Sequence, residues 1–375
     1  MNGLYIHIPF CKSKCYYCDF YSVTDSPGWD AYVSALFDEM EYRNDYLTDK
    51  QIDTVYFGGG TPTLLSPRIL GSILDRVKNR YLVEEGAEIT FEANPDDLNR
   101  QSLQEYRSLG FNRISIGIQS FEDEHLKLMN RRHNATQAIE AVQLAADAGF
   151  SHLSIDLIYG IPGMTIGQWH RNLEIAAGLP VDHLSAYHLT IEPGTPFGRL
   201  RAEGKFNEIT EDQSVDQFHS LLNILGSNGF EQYEISNFAR NNGYSRHNTK
   251  YWTGESYLGL GPSAHSYNGS QRHWNPMDLA EYLNHVRHRR LPEGEELDPV
   301  MKRNEYVMTR LRTSKGIDEA DFIRNFGESG WEEFLSATKK HLLRGDLVRE
   351  NSRIRFNREA WFHSDGILSD LFLVT

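Results

Sequence analysis

Residues 4–18 read Leu-Tyr-Ile-His-Ile-Pro-Phe-Cys11-Lys-Ser-Lys-Cys15-Tyr-Tyr-Cys18. A β-branched apolar run ends near a proline and delivers three cysteines within eight residues, and the chain has no others. An odd, clustered set does not make a disulfide framework; in a reducing compartment such thiols bind metal or do redox chemistry. Structural zinc takes four ligands, and His7, the nearest fourth, lies inside the strand. A [4Fe–4S] cluster usually takes four thiolates. Three would leave one iron open to a small molecule. Cys11, Cys15 and Cys18 therefore read as the ligands of an iron–sulfur cluster just beyond the first strand.

Working outward, five more runs of this kind follow: Thr54–Phe57, Glu88–Phe91, Arg113–Ile118, Leu153–Ile158 and His183–Leu189. They read as strands buried on both faces. Helical patterns separate them. Trp29, Tyr32, Val33, Leu36, Phe37 and Met40 recur at helical spacing, as do Ala138, Ile139, Val142, Ala145 and Ala146 ahead of Gly149. Ser26-Pro27 and Ser66-Pro67 read as N-caps before a first-turn proline, and Thr165-x-x-Gln168 and Thr210-x-x-Gln213 as capping boxes. Strand and helix in alternation make an α/β fold with a parallel sheet; six units rather than eight suggest a partial (β/α)6 barrel. Its strands end in chemistry-bearing residues: the cysteines, then Gly58–Pro62, Glu92, Gln119, Asp156 with Tyr159, and His188 with Glu192. The C-terminal face of such a barrel carries the active site. The glycine run is no phosphate-binding P-loop, since no Lys-Ser/Thr follows it.

The pattern changes after about residue 200. Residues 1–200 read as the barrel, 201–292 as a region completing it, and 293–375 as a small helical, winged-helix-like domain. In these later regions 211–229 read as a helix, Asn275-Pro276 as the cap of another, Leu291–Glu296 as a linker, and Asp346–Arg349 with Arg353–Phe356 as a hairpin. Packing or partner docking suits the last domain better than DNA reading. The formal charge is −14, from 38 Lys and Arg against 52 Asp and Glu, which argues against a nucleic-acid binder and against an anionic membrane surface. No apolar run is long enough to span a bilayer, and the N-terminus lacks the basic region of a signal peptide. The expectation is a cytoplasmic protein with no transmembrane segment, which leaves room for peripheral contact with membrane-bound partners.

Together these residues resemble the radical S-adenosylmethionine (SAM) superfamily, whose signature is C-x3-C-x2-C after the first barrel strand. Tyr5–Cys11, Gly58–Pro62, Gly117-Ile-Gln119-Ser-Phe, Asn130-Arg131 and Asp156-Leu-Ile-Tyr-Gly160 resemble its HemN/HemW group over nearly the whole chain. The resemblance implies a [4Fe–4S] cluster whose open iron is chelated by SAM. Tyr5 would approach that cofactor, and Gly59, Gly60 and Thr61 would line its amino-acid moiety. Glu92, Gln119, Arg131 and Asp156 would hold its polar groups, and Tyr17 would flank the adenine. His247-Asn-Thr-Lys-Tyr-Trp252 resembles an H-N-x-x-Y-W motif of the group, which would make His247 a heme ligand; His265 and His273 are weaker rivals. The implied function is a heme chaperone that delivers heme to acceptor proteins, with an electron donor as a further partner. The alternative within the group is an oxidoreductase, the oxygen-independent coproporphyrinogen III dehydrogenase. That enzyme resembles C-x3-C-x2-C-x-C preceded by an N-terminal extension; here Phe20 stands at the fourth cysteine position and the strand begins within a few residues of Met1.

Overall fold

In the computed structural model, which describes residues 1–24, 28–205 and 207–374, the first strand lies inside the sheet, not at its edge. Strands β1 (Asn2–Ile8), β2 (Gln51–Gly59), β3 (Leu82–Ala93), β4 (Arg113–Gln119), β5 (His152–Tyr159) and β6 (His183–His188) are parallel, each hydrogen-bonded to the next. Helices α1 (Trp29–Tyr42), α2 (Pro67–Arg80), α3 (Arg100–Leu109), α4 (Asp123–Leu128), α5 (Ala135–Asp147) and α6 (Ile166–Gly178) fill the crossovers. This is the α/β partial barrel expected. Among the described residues the sheet does not close.

The strands alternate more strictly than expected. In β4, Ile114, Ile116 and Ile118 are fully buried in the apolar core, while Arg113, Ser115, Gly117 and Gln119 take the other face. The period of two sends these sets to opposite sides. Both faces are enclosed, but the inner one is polar, because it walls a cavity that must receive a ligand.

Helix starts follow the local chemistry. The Ser66 side chain accepts the Ile69 N–H ahead of Pro67, and Thr165 with Gln168 closes a capping box. The Ser26-Pro27 cap lies outside the described residues. On α5 the buried face is Ala138, Ala141, Val142 and Ala145; Ile139 turns outward instead.

After β6 come α7 (Pro196–Ala202) and α8 (Glu211–Ser227), the latter opened by the Thr210/Gln213 capping box. Then β7 (Glu231–Gln232) and β8 (Asn237–Ala239) extend the sheet antiparallel beyond β6. Helix α9 (Arg246–Thr253) crosses to β9 (Tyr257–Leu260), which pairs parallel with β1, and β10 (His265–Tyr267) and β11 (Gln271–Trp274) follow. Two expectations fail here. Helix α10 (Leu279–Arg287) is capped by Asp278, whose carboxylate accepts from Ala280 and Glu281 N–H; Asn275 is buried and donates to Glu39 Oε1 and to the Gly261 carbonyl, both at 2.7 Å. Leu291–Glu296 is not a linker: Glu293–Glu296 forms β12, antiparallel to β11, so its acids edge a sheet.

The C-terminal module runs α11 (Pro299–Leu311), β13 (Ile317–Asp318), α12 (Glu319–Arg344), the hairpin β14 (Leu347–Glu350) and β15 (Arg353–Phe356), then α13 (Ser364–Leu371). Gly327, at φ +78°, breaks α12 into two helices. Helix, strand, two helices and hairpin make the winged-helix-like order. Asn351 and Ser352, both at positive φ, form the two-residue turn.

Candidate functional site

The cysteine loop is pinned by main-chain bonds. Cys11 N–H donates to the Val23 carbonyl at 3.0 Å, Tyr16 N–H to Met129, and Phe197 N–H to Tyr16. All three thiols are unpaired and half-buried. Thr61 Oγ1 lies 3.6 Å from Cys11 Sγ, and Arg131 Nη1 is 3.3 Å from Cys15 Sγ. Burial, with the neighbouring thiols, pushes Cys18 up to about 11, so a metal bound there would have to displace its proton.

The glycine turn meets this loop edge to edge. Gly60 and Thr61 N–H donate to the Ile8 and Phe10 carbonyls, both at 2.7 Å. A Cβ at Gly60 would stand 2.6 Å from Phe10 O and 2.8 Å from Ile8 O. Gly59 has φ +102°, and a Cβ there would strike the His7 ring at 2.6 Å. Only glycine permits such an approach.

Beside the turn, Glu92 accepts from Tyr56 OH at 2.8 Å and from Gly59 N–H at 3.1 Å. Burial holds its carboxyl up at about 7 despite those bonds, and the Asp156 charge adds to the rise. Asp156, which accepts from Ser115 Oγ at 3.3 Å, is raised by burial to about 6, with bonds from Ser185 and Ser115 and the Arg131 charge opposing. Arg131 reaches inward, donating to Asn94 Oδ1 at 2.6 Å, and its buried Nε has no hydrogen-bond partner among the described residues. Its neighbour Arg132 points out, to Asp96 and Asp97.

These groups share one cleft of about 420 Å³ at the C-terminal ends of the strands, which brings Tyr17, Gly59, Gly60, Thr61, Gln119 and the cysteines together with Glu92, Arg131 and Asp156. Tyr187 is half-exposed, but to the inside of this cleft. Phe20 stands at the mouth, 70% exposed. Tyr5 does not line the cleft. Its ring stacks on Tyr56 and its hydroxyl donates to His7 Nδ1, while His7 Nε2 bonds the Tyr21 carbonyl. With both nitrogens engaged and burial holding its pKa down near 4, His7 is not a fourth cluster ligand.

His247 is a clear departure from expectation. It lies at the opposite end of the barrel, 1% exposed, on the first turn of α9. Nδ1 meets Thr54 Oγ1 at 2.9 Å and Nε2 meets Tyr251 OH at 3.0 Å, with the ring stacked on Tyr56. Burial pushes its pKa down to about 3. The Arg246 and His247 N–H groups donate to the Glu88 carboxylate. Both ring nitrogens thus meet side-chain hydroxyls, and His247 stands in the barrel floor. Of its rivals, His265 is exposed and packs by Trp274, and His273 meets Tyr46 OH.

Sequence reasoning missed Tyr56, Asn94 and Ser115. Each lies two residues from a recognised position, Gly58, Glu92 or Gly117, and the period of two was the available signal.

The donor set fits a cluster. Among the described residues no three His, Cys, Asp or Glu side chains converge on a single metal ion. A cubane instead presents separate iron corners to separate thiolates. The unpaired Arg131 Nε and the glycine cradle leave polar groups and space for a small ligand beside it.

The Radical SAM superfamily profile matches residues 5–176. "Heme chaperone HemW" of Bacillus subtilis is 34% identical over 366 residues, covering 96% of both chains. The protein of the same name from Escherichia coli is 33% identical over 338 residues, covering 87% of this chain and 86% of its own. A solved structure of E. coli coproporphyrinogen III oxidase (HemN), described as a radical SAM enzyme, superposes with a TM-score of 0.85 at 24% identity, over 99% of this chain and 89% of the other. At that identity the likeness bears on fold alone.

Proposed function

The chain belongs to the HemW family of radical SAM proteins, and from that membership we propose that it is a heme chaperone, binding heme and passing it to acceptor proteins. The observation that carries the reading is similarity along nearly the full length to proteins of that name. Phe20 at the cleft mouth, where the related dehydrogenase has a cysteine, supports it further. No helix among the described residues is long and apolar enough to cross a membrane.

Membership in the radical SAM superfamily implies a [4Fe–4S] cluster and SAM. Cys11, Cys15 and Cys18 would hold the cluster. When bound beside the cluster, SAM would supply a sulfonium that one electron from a donor protein can cleave. The chain's part is to bind and orient it. Gly59, Gly60 and Thr61 would let the backbone approach its amino-acid end, Glu92 would accept from the N–H of its amino group, and Arg131, Gln119 and Asp156 would supply further polar contacts. Tyr17 offers a ring for the adenine.

Glu92→Gln is expected to weaken SAM binding roughly tenfold at alkaline pH, by loss of a charge-assisted bond. Burial pushes the wild-type carboxyl up to about 7, so its hold on the iron-side amino group of SAM weakens as pH drops through that value. The variant should lose that step and keep only the lower one from Asp156, whose carboxyl burial raises to about 6. Equilibrium dialysis of anaerobically reconstituted protein across neutral pH reads both, and unaltered affinity would remove Glu92 from the site.

The function itself is tested by adding hemin to reconstituted protein and then an apo heme protein. A shifted Soret band that moves to the acceptor is expected. In parallel, coproporphyrinogen III, SAM and a reductant should leave the porphyrinogen unchanged. Formation of protoporphyrinogen would overturn the chaperone reading.

A further inference from the structure

Two hydrogen bonds hold the Glu92 carboxylate at the wall of the cleft, and both come from β2. The Tyr56 hydroxyl donates to Oε1 at 2.8 Å and the Gly59 N–H to Oε2 at 3.1 Å. Each oxygen keeps a further lone pair for the cleft. Tyr56 itself does not line the cleft, so whatever it contributes there passes through Glu92.

The phenol is held in place from two sides. Tyr5, its cross-strand neighbour on β1, stacks against it with ring centres 6.1 Å apart, and His247 on α9 does so at 5.1 Å. Two residues along β2, Gly58 shares the face of Tyr56. A Cβ at Gly58 would stand 2.8 Å from the Tyr56 ring and 2.9 Å from Glu92 Oε1. The first glycine of the run therefore has a job of its own. Gly59 clears the His7 ring and Gly60 the main chain of the cysteine loop, whereas Gly58 lets phenol and carboxylate meet.

Resting on the SAM reading above, we propose that Tyr56 is a positioning residue of that site: propped by Tyr5 and His247 and admitted by Gly58, it aims Glu92 Oε1 and so sets how the cleft receives the SAM amino group. A donated O–H favours the ionised carboxylate. The bond thus opposes the burial that raises Glu92 to about 7, and without it the carboxyl would rise further. The other titratable groups facing Glu92 are Asp156 on β5 and the phenols of Tyr5, Tyr187 and Tyr251. Desolvation holds those phenols above the ordinary tyrosine range, so of these neighbours only Asp156, at about 6, shares the range of Glu92.

The test is equilibrium dialysis of SAM against anaerobically reconstituted protein across neutral and alkaline pH. Tyr56→Phe keeps the ring and removes only the O–H. Its upper affinity step should move to higher pH by about one unit, a roughly fivefold loss at neutrality that closes at alkaline pH. An unmoved step would overturn the proposal, as would an equal loss at every pH, the mark of a packing defect alone. Gly58→Ala, which crowds phenol and carboxylate apart, should move the step the same way and carries the test if Tyr56→Phe does not fold. In a Glu92→Gln background, adding Tyr56→Phe should change SAM affinity by no more than about twofold, because the hydroxyl acts through the carboxylate; an undiminished further loss there refutes that route. The bond is also read without cofactor. In cluster-free protein the protonated-carboxyl infrared band that Glu92→Gln removes should titrate at higher pH in Tyr56→Phe than in wild type, and a band that stays put sinks the inference. If the band moves but Glu92→Gln leaves SAM affinity unaltered, the SAM reading falls and the inference with it.

Discussion

Cys15→Ala is expected to leave the reconstituted protein without the broad brown absorbance of an iron–sulfur cluster, with iron and sulfide at background. The chain offers three thiols and no replacement, since His7 has both ring nitrogens engaged. Two thiolates cannot hold a cluster that already lacks one protein ligand. The fold should survive, because main-chain bonds pin the loop and the apolar core lies on the other face of the strands. Arg131 loses its sulfur partner but keeps Asn94. Iron and sulfide analysis beside a thermal melt separates the outcomes: wild-type metal content would remove Cys15 from the ligand set.

Glu39→Ala should cost stability on a scale unusual for one substitution. Glu39 is fully buried on α1 and pairs with Arg43 at 3.2 Å. It also accepts from Gly261 N–H, Asn275 Nδ2 and Tyr282 OH at 2.7–2.9 Å. Arg43 in turn donates to the Gly259 carbonyl and Ser266 Oγ. One carboxylate thus joins α1 to the residue after β9, to the residue after β11, and to α10. Removing it strands a buried guanidinium and three donors, for a loss of about 3–5 kcal/mol. Replacing Glu39 and Arg43 together with methionine should recover part of that loss, because the penalty comes from the unpaired charge. Denaturant unfolding measures both; a single variant within about 1 kcal/mol of wild type would contradict the argument.

The barrel was legible because its signals are local. Strand runs, capping boxes and the cysteine spacing each occupy a few consecutive residues, and residues at strand ends must share one face once the sheet is parallel. That reasoning gathered Glu92, Gln119, Asp156 and the glycine turn, which the structure brings into one cleft. It failed where position depends on distant partners. Tyr5 and His247 lie in different parts of the sequence, yet both rings pack around Tyr56. Nothing in the spacing of His247–Trp252 says which end of the barrel the helix closes, or that Thr54 and Tyr251 saturate the imidazole. Asn275-Pro276 looked like a cap because capping chemistry is short-range; Asn275 was instead drawn inward by the Glu39 carboxylate. Glu293–Glu296 looked like a linker because its acids suit solvent, and an edge strand exposes them equally well.

The pairing of β1 with β9 also has a consequence for biosynthesis. The cysteines follow directly on β1, whose far edge is completed by a strand beginning at residue 257. At translation rates of about 5–20 residues per second, that partner leaves the ribosome roughly 10–50 s after the thiols do. The thiols are therefore made well before the strand that completes the sheet beside them. Thiols exposed over that interval depend on a reducing environment until the sheet around them is complete.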